Sequence, residues 1–215
     1  MRKIMYCTLD TETLGGASAP KGIYNIGGLI HDREGNIYAS FNYIIAEYYK
    51  DIDGAYYGKK TFHRYQEMIN CGGATMVATE DEAIQAINNL LNVYQVKYVM
   101  AYNTSFDFIR TAACALMENR EFIDIYHMAF EIFSIRKSYR TFCADHNFFT
   151  KNHNCKLSVE TMYAFLTNNP SFEEEHTAFS DASQEMEIFV RCVKTHKRYT
   201  KNVHHNDVIF GRKKK

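Results

Sequence analysis

An apolar, strand-like run, "KIMYCTL" at residues 3–9, stops at two acids, Asp10 and Glu12, with Gly15 and Gly16 close behind. Side chains on a strand alternate between its faces with period two, so these two carboxylates point the same way. Carboxylates held close repel, and neither ionises comfortably without a counter-charge. A bound divalent cation supplies that charge, and carboxylate oxygens suit Mg²⁺ or Mn²⁺ over softer metals. The glycines let backbone approach a ligand closely. By itself D-x-E is a weak signal and better describes a solvated strand end.

The rest of the chain limits what such a strand can belong to. "YNIGGLIHD" and "IYASFNYII" flank the turn signal "REGN" and read as a hairpin. An irregular stretch follows over residues 46–79. "TEDEAIQAINNLLNVY" then puts Ile84, Ile87, Leu91 and Tyr94 on one helical face, with acids in the first turn. "VKYVMAY" reads as a buried strand, and "SFDFIRTAACALM" as a helix with Phe106, Ile109, Ala113 and Leu116 in register. "FIDIY" is a short fifth strand. "SVETMYAFL" is helical behind a Ser158 cap, and a last helix over about 180–194 packs Ala182, Met186, Phe189 and Val193. Strands first, then strands alternating with helices, predict an α/β domain on a mixed sheet.

Hydrophobic residues make up 46% of 215, enough for a sizeable core. No apolar run reaches the length of a membrane span. Met1 leads straight into a strand, so no signal peptide is expected, and six scattered cysteines suit a reducing, cytoplasmic setting. Net charge is zero but unevenly spread. Residues 191–215 hold nine Lys/Arg and one acid, a local +8 against −8 for the remainder. The expected division is a domain over 1–194 and a basic tail over 195–215, which either holds a polyanion or is a solvated terminus.

Two further acids stand at element junctions. Asp107 in "AYNTSFDFI" lies just past the strand "VKYVMA" and near the start of a helix, with Asn103 four residues before it. Asp181 in "HTAFSDASQEMEIF" begins the last helix, with His176 five positions earlier. Singly, each is an ordinary helix-start acid or turn residue. In order they make D-x-E, N-x3-D and H-x4-D. That arrangement resembles the DEDDh family of proofreading-type 3′→5′ exonucleases, and the match spans residues 4 to 192. Thr177 stands where a sister family carries a tyrosine in place of the histidine.

The resemblance implies a ribonuclease H-like fold with a five-stranded sheet, three strands antiparallel and two parallel, and helices on both faces. It implies that Asp10, Glu12, Asp107 and Asp181 hold two Mg²⁺ or Mn²⁺ and that His176 is the general base. It further implies that backbone from Thr11 through Thr13 to Leu14, with the Glu12 carboxylate, meets the terminal nucleotide. Asn103 would orient the loop carrying Asp107. The expected activity is metal-dependent 3′→5′ exonucleolysis of single-stranded nucleic acid, DNA favoured over RNA, releasing nucleoside monophosphates. The alternatives are an exoribonuclease trimming short RNA or RNA 3′ ends, and a binding module associated with a polymerase partner. The Asn-, Lys-, Tyr- and Phe-rich composition fits an A·T-rich genome and is similar to that of small phage exonucleases.

Two stretches fall outside these motifs. "YYGKKTFHRY" interleaves rings with cations, and Tyr56, Lys59, Lys60 and Arg64 are candidate substrate contacts; a surface helix with snorkelling charges is the plainer account. Cys143, His146, His153 and Cys155 form C-x2-H-x6-H-x-C, four residues of types that can hold structural zinc, though in no standard spacing.

Overall fold

The computed structural model describes residues 3–15, 22–109 and 111–195; nearly all of the expected basic tail lies outside them. Strands β1 (Met5–Leu14), β2 (Gly22–His31) and β3 (Ile37–Ile45) form an antiparallel meander. Its β2–β3 turn is held by Asp32, whose carboxylate accepts the backbone N–H groups of Glu34 and Asn36, both at 3.0 Å. Gly35 takes the left-handed conformation there, at φ 89°. Strand β4 (Thr75–Val77) lies parallel to β3, β5 (Val96–Ala101) parallel to β1, and β6 (Glu121–Asp124) parallel to β5. The order is β4-β3-β2-β1-β5-β6, six strands where the sequence predicts five. The extra strand is β4, whose three residues are too few to show a period of two.

Helices cover both faces. The short α1 (Ala46–Tyr49) and then α2 (Gly58–Cys71) follow β3, and α3 (Glu80–Val93) precedes β5. Ile84, Ile87 and Leu91 of α3 are buried against Cys7, Leu9, Ile30 and Val99 of the sheet. Each such aliphatic contributes about 1.5–3 kcal/mol by leaving water. Thr79 caps α3 by accepting the Glu82 N–H at 3.3 Å, and Glu82 reaches back to the Ala78 N–H at 2.8 Å. On the other face lie α4 (Ile125–Ala129), α5 (Lys137–Asp145), α6 (Val159–Thr167) and α7 (Ala178–Thr195), packed around Tyr6, Tyr98, Met100 and Phe189. Ser158 caps α6 as the sequence predicts, accepting the Thr161 N–H at 3.2 Å. No helix among the described residues is long and apolar enough to cross a membrane.

Two local expectations are corrected. The irregular stretch 46–79 contains the 14-residue α2. Its buried members are Gly58, Thr61 and Tyr65, and the half-buried Met68 and Ile69 extend that face against a small core, as the surface-helix account of the basic aromatic stretch expects. The helix expected over 105–117 is instead a π-type turn (Ser105–Ile109) followed by a 3-10 segment (Ala112–Met117). Thr111 interrupts it, donating its hydroxyl to the Asp107 carbonyl and accepting the Ala113 N–H at 3.1 Å. Ala113 and Leu116 are buried as expected; the side chain of Ile109 lies outside the described residues.

The placement of α7 positions the site. In the β1–β2 register Asp10 faces Gly27 and Glu12 faces Asn25. A Cβ on Gly27 would sit 2.4 Å from the backbone nitrogen of Phe179, so only glycine lets α7 come this close to the sheet. Buried Asn25 accepts the Ala178 N–H at 2.9 Å through Oδ1 and donates to Asn42 and Tyr43 of β3. A side chain of the sheet therefore caps the helix and fixes its first turn beside Asp10 and Glu12.

Candidate active site

Along β1, Cys7 and Leu9 face α3 while Tyr6 faces α7, so period two carries Asp10 and Glu12 onto the α7 side. Asp107 arrives from the turn after β5, and Asp181 from the first turn of α7. All four acids line one cleft of about 580 Å³. Thr13, Tyr24, Tyr56, Tyr57, Tyr102, Asn103 and Phe106 complete much of its wall.

Each acid is placed by identifiable contacts. Thr11 donates both its N–H (3.1 Å) and its hydroxyl (2.7 Å) to Asp107 Oδ1, joining β1 to the turn after β5. The Asp124 carboxylate at the end of β6 accepts from the Asn103 N–H and the Thr104 hydroxyl, both at 3.2 Å. Asn103 is exposed in the left-handed region at φ 71° and accepts the Ser105 hydroxyl at 2.8 Å. Tyr24 donates to Glu12 Oε2 at 3.3 Å. Asp181 is 8% exposed, and its Oδ1 has no hydrogen-bond partner among the described residues.

Burial pushes every one of these carboxyls up, and the neighbours add to it. Asp10 is raised well above the usual range by desolvation, then by Asp107, Glu185, Glu12 and Asp181. Glu12 is raised by desolvation and then by Asp181, with Tyr24 opposing. Asp181 is pushed up to about 8 by burial, then by Glu174 and Glu175. Asp107 reaches about 7 through burial, held back by its Thr11 hydrogen bonds. The charges acting on Asp10 are all carboxylates. A set of carboxylate oxygens whose mutual repulsion outweighs the one opposing charge, Arg64 on Asp181, with one orphaned oxygen among them, fits hard divalent cations.

His176 stands beside this set: Glu12, His176 and Asp181 each bring a ligand-capable atom within 4.8 Å of the others. Its Nδ1 lies 3.8 Å from Glu174 Oε2, and its ring stacks on Tyr57. Burial, then the charges of Arg64 and Lys60, move its pKa down.

The other predicted residues divide. Tyr56 is 83% exposed at the cleft wall. Lys59 and Lys60 are exposed in the first turn of α2, just after the lining residues Tyr56 and Tyr57 but not among them. The Arg64 guanidinium donates to the Glu175 carbonyl. Leu14 packs into a small core with Tyr24, Ile44, Ile52 and Tyr65. Cys143 is buried next to Cys155, whereas His146 and His153 are exposed. Among the described residues no three of that quartet converge as a metal group does.

Sequence reasoning missed Glu185. This further carboxylate is buried, lines the cleft and accepts the Tyr102 N–H at 3.0 Å. Its position four residues after Asp181, on the same helical face, was the available signal. Tyr24 was missed too, because only strand pairing brings it to the site; Tyr57 and Tyr65 lie in the aromatic stretch read as substrate contacts, but their contacts with His176 and Tyr24 arise only in the tertiary fold.

No protein-family model matches the chain, and no curated protein matches it. Solved structures do. Escherichia coli exonuclease I in complex with a dA16 oligonucleotide is similar at a TM-score of 0.61 and 14% identity, covering 97% of this chain and 45% of that one. Cell-death related nuclease 4 (CRN-4) is similar at 0.55 and 14%, covering 89% of this chain and 64% of that one. The chain thus spans under half the length of exonuclease I. At these identities the likeness establishes the fold, an α/β architecture of the ribonuclease H-like class.

Proposed function

We propose that the chain is a metal-dependent 3′→5′ exonuclease acting on single-stranded nucleic acid, with DNA favoured over RNA. The observation that carries this is the convergence of Asp10, Glu12, Asp107 and Asp181, from three distant segments, in one cleft with His176 beside them. The fold likeness to exonuclease I, which holds a DNA oligonucleotide in its own structure, supports the choice of substrate.

In this reading the four acids hold two divalent cations, which supply Lewis acidity toward the attacking water and the leaving 3′ oxygen. The chain's own residues do the rest. Thr11 keeps Asp107 in place, and Tyr24 orients Glu12. The His176 imidazole takes the proton of the attacking water, and Glu174 stabilises the imidazolium that results. Tyr56, exposed at the cleft wall, and Phe106 offer faces on which unpaired bases stack. Lys59 and Lys60 are exposed and free to attract the phosphate backbone toward the cleft.

Digestion of 5′-labelled single-stranded DNA and RNA, side by side with Mg²⁺, Mn²⁺ or EDTA, tests the proposal. The expected result is a stepwise-shortening DNA ladder, abolished by EDTA and slowed by a 3′-terminal phosphate. Faster shortening of the RNA makes the chain an exoribonuclease. Cutting of a circular single strand, or full activity in EDTA, overturns the proposal.

A further inference from the structure

We infer that Tyr57 and α2 form a latch that sets the position of His176: Tyr57 provides the surface on which the imidazole lies, and Arg64 and Tyr65 fix the backbone that carries it. The inference rests on the reading of His176 as the general base and adds the residues that present it.

Three contacts converge on residues 175 and 176. The rings of Tyr57 and His176 stack face to face, with centroids 3.6 Å apart and planes 9° from parallel. The Tyr65 hydroxyl donates to the His176 carbonyl at 3.4 Å. The Arg64 guanidinium donates to the carbonyl of Glu175. His176 requires such restraint, since it occupies the left-handed region at φ 54°. That conformation is unfavourable for a residue with a Cβ. The contacts from Tyr57, Arg64 and Tyr65 offset that cost at His176. The segment before α7 is otherwise largely exposed from Asn168 to Ser171 and has no regular structure of its own.

The latch is also registered against the acids. Tyr65 is fully buried and packs edge-on against Tyr24, with centroids 5.7 Å apart and planes at 82°. Tyr24 in turn donates to Glu12. One pair of buried tyrosines therefore relates the backbone of His176 to a carboxylate of the site. Arg64, a candidate phosphate contact by sequence, is used on the chain's own main chain. Gly58 permits the tight start of α2: a Cβ there would sit 1.7 Å from the Ile52 carbonyl oxygen.

Tyr57→Leu and Tyr57→Phe, with Arg64→Gln as an independent second variant, test the latch by kinetics and by NMR of the histidine rings. The His176 ring signal is assigned from its loss in His176→Gln. In metal-free wild type it should carry the ring-current shift of a stacked partner. Tyr57→Leu should abolish that shift, and Tyr57→Phe should restore it. In single-turnover digestion Tyr57→Leu should lower kcat by about 10-fold or more, as expected for a displaced catalytic group. KM should change little, and Tyr57→Phe should recover most of the loss. Arg64→Gln should lower kcat in the same direction without raising KM. An unshifted His176 signal in Tyr57→Leu overturns the latch, whatever the activity. So does a loss confined to KM, which makes Tyr57 a substrate-stacking surface instead. A wild type that hydrolyses nothing removes the catalytic reading separately, while the NMR result still decides whether the stack exists.

Discussion

Asp181 concentrates the electrostatic tension of the cleft in one residue. Its folded-state pKa of about 8 lies well above the roughly 3.9 of an unfolded aspartate. A carboxyl raised in this way binds its proton in the folded state across that interval, so it favours folding at low pH. The stability is lost as pH rises from about 4 toward 8. Asparagine imitates the protonated acid at every pH. Asp181→Asn should therefore raise the metal-free melting temperature at pH 8, and the gain should shrink toward zero near pH 4. Thermal melts in EDTA across that range check it, and a gain equal at both ends would show that the charge is not the cause. Catalysis should fail in the same variant, since a neutral amide is a poor ligand for a hard dication. Glu185 lies one turn further along α7 with its carboxyl also raised by burial, so the tension is shared with a residue outside the motif.

Among the elements, α7 depends most on a few small residues of its neighbour. Gly27→Ala places a methyl group against the Phe179 backbone, which a rotamer change cannot relieve. The first turn of α7 must lift, carrying Asp181 with it. The expected outcome is a lower melting temperature and a loss of kcat of at least about 10-fold, read by calorimetry and single-turnover digestion. Asn25→Ala leaves the Ala178 N–H buried and unpaired, which costs about 1–3 kcal/mol. A normal melting temperature in both variants would show that the helix is seated by other contacts. Neither Gly27 nor Asn25 stands out in the sequence, because their importance comes from an element 150 residues away in the chain. What was legible had strong period or strong caps. The alternation of β1 places Asp10 and Glu12, the stripe of α3 shows in Ile84, Ile87 and Leu91, and Ser158 marks the start of α6. What was not legible was masked or set from a distance. Helix α2 packs Tyr65, Met68 and Ile69 inward but interleaves them with charges and polar residues, and the turn bearing Asp107 is shaped by Thr111 and by the distant Asp124, which local propensity does not register.

At the scale of the molecule, the cleft is a store of like charge that cations should discharge. A cation that binds only the folded chain stabilises it by about 2.7 kcal/mol at 100 times its dissociation constant. For a chain of this size that corresponds to a rise of at least about 5 °C in melting temperature. Mg²⁺ or Mn²⁺ should produce it at pH 8, and Asp10→Asn should reduce it. A melting temperature indifferent to both metals would remove the metal site independently of any activity measurement. The segmented origin of the site has a further consequence. Asp10, Glu12 and Asp107 come before the exposed stretch Asn168–Ser171, and His176 and Asp181 come after it. Exposed segments of this kind tolerate a break in the chain. Expressed as two pieces divided there, neither half would possess a complete reaction centre. Mixing them should reconstitute hydrolysis as α7 docks onto β2, making the catalyst conditional on complementation between two individually silent polypeptides.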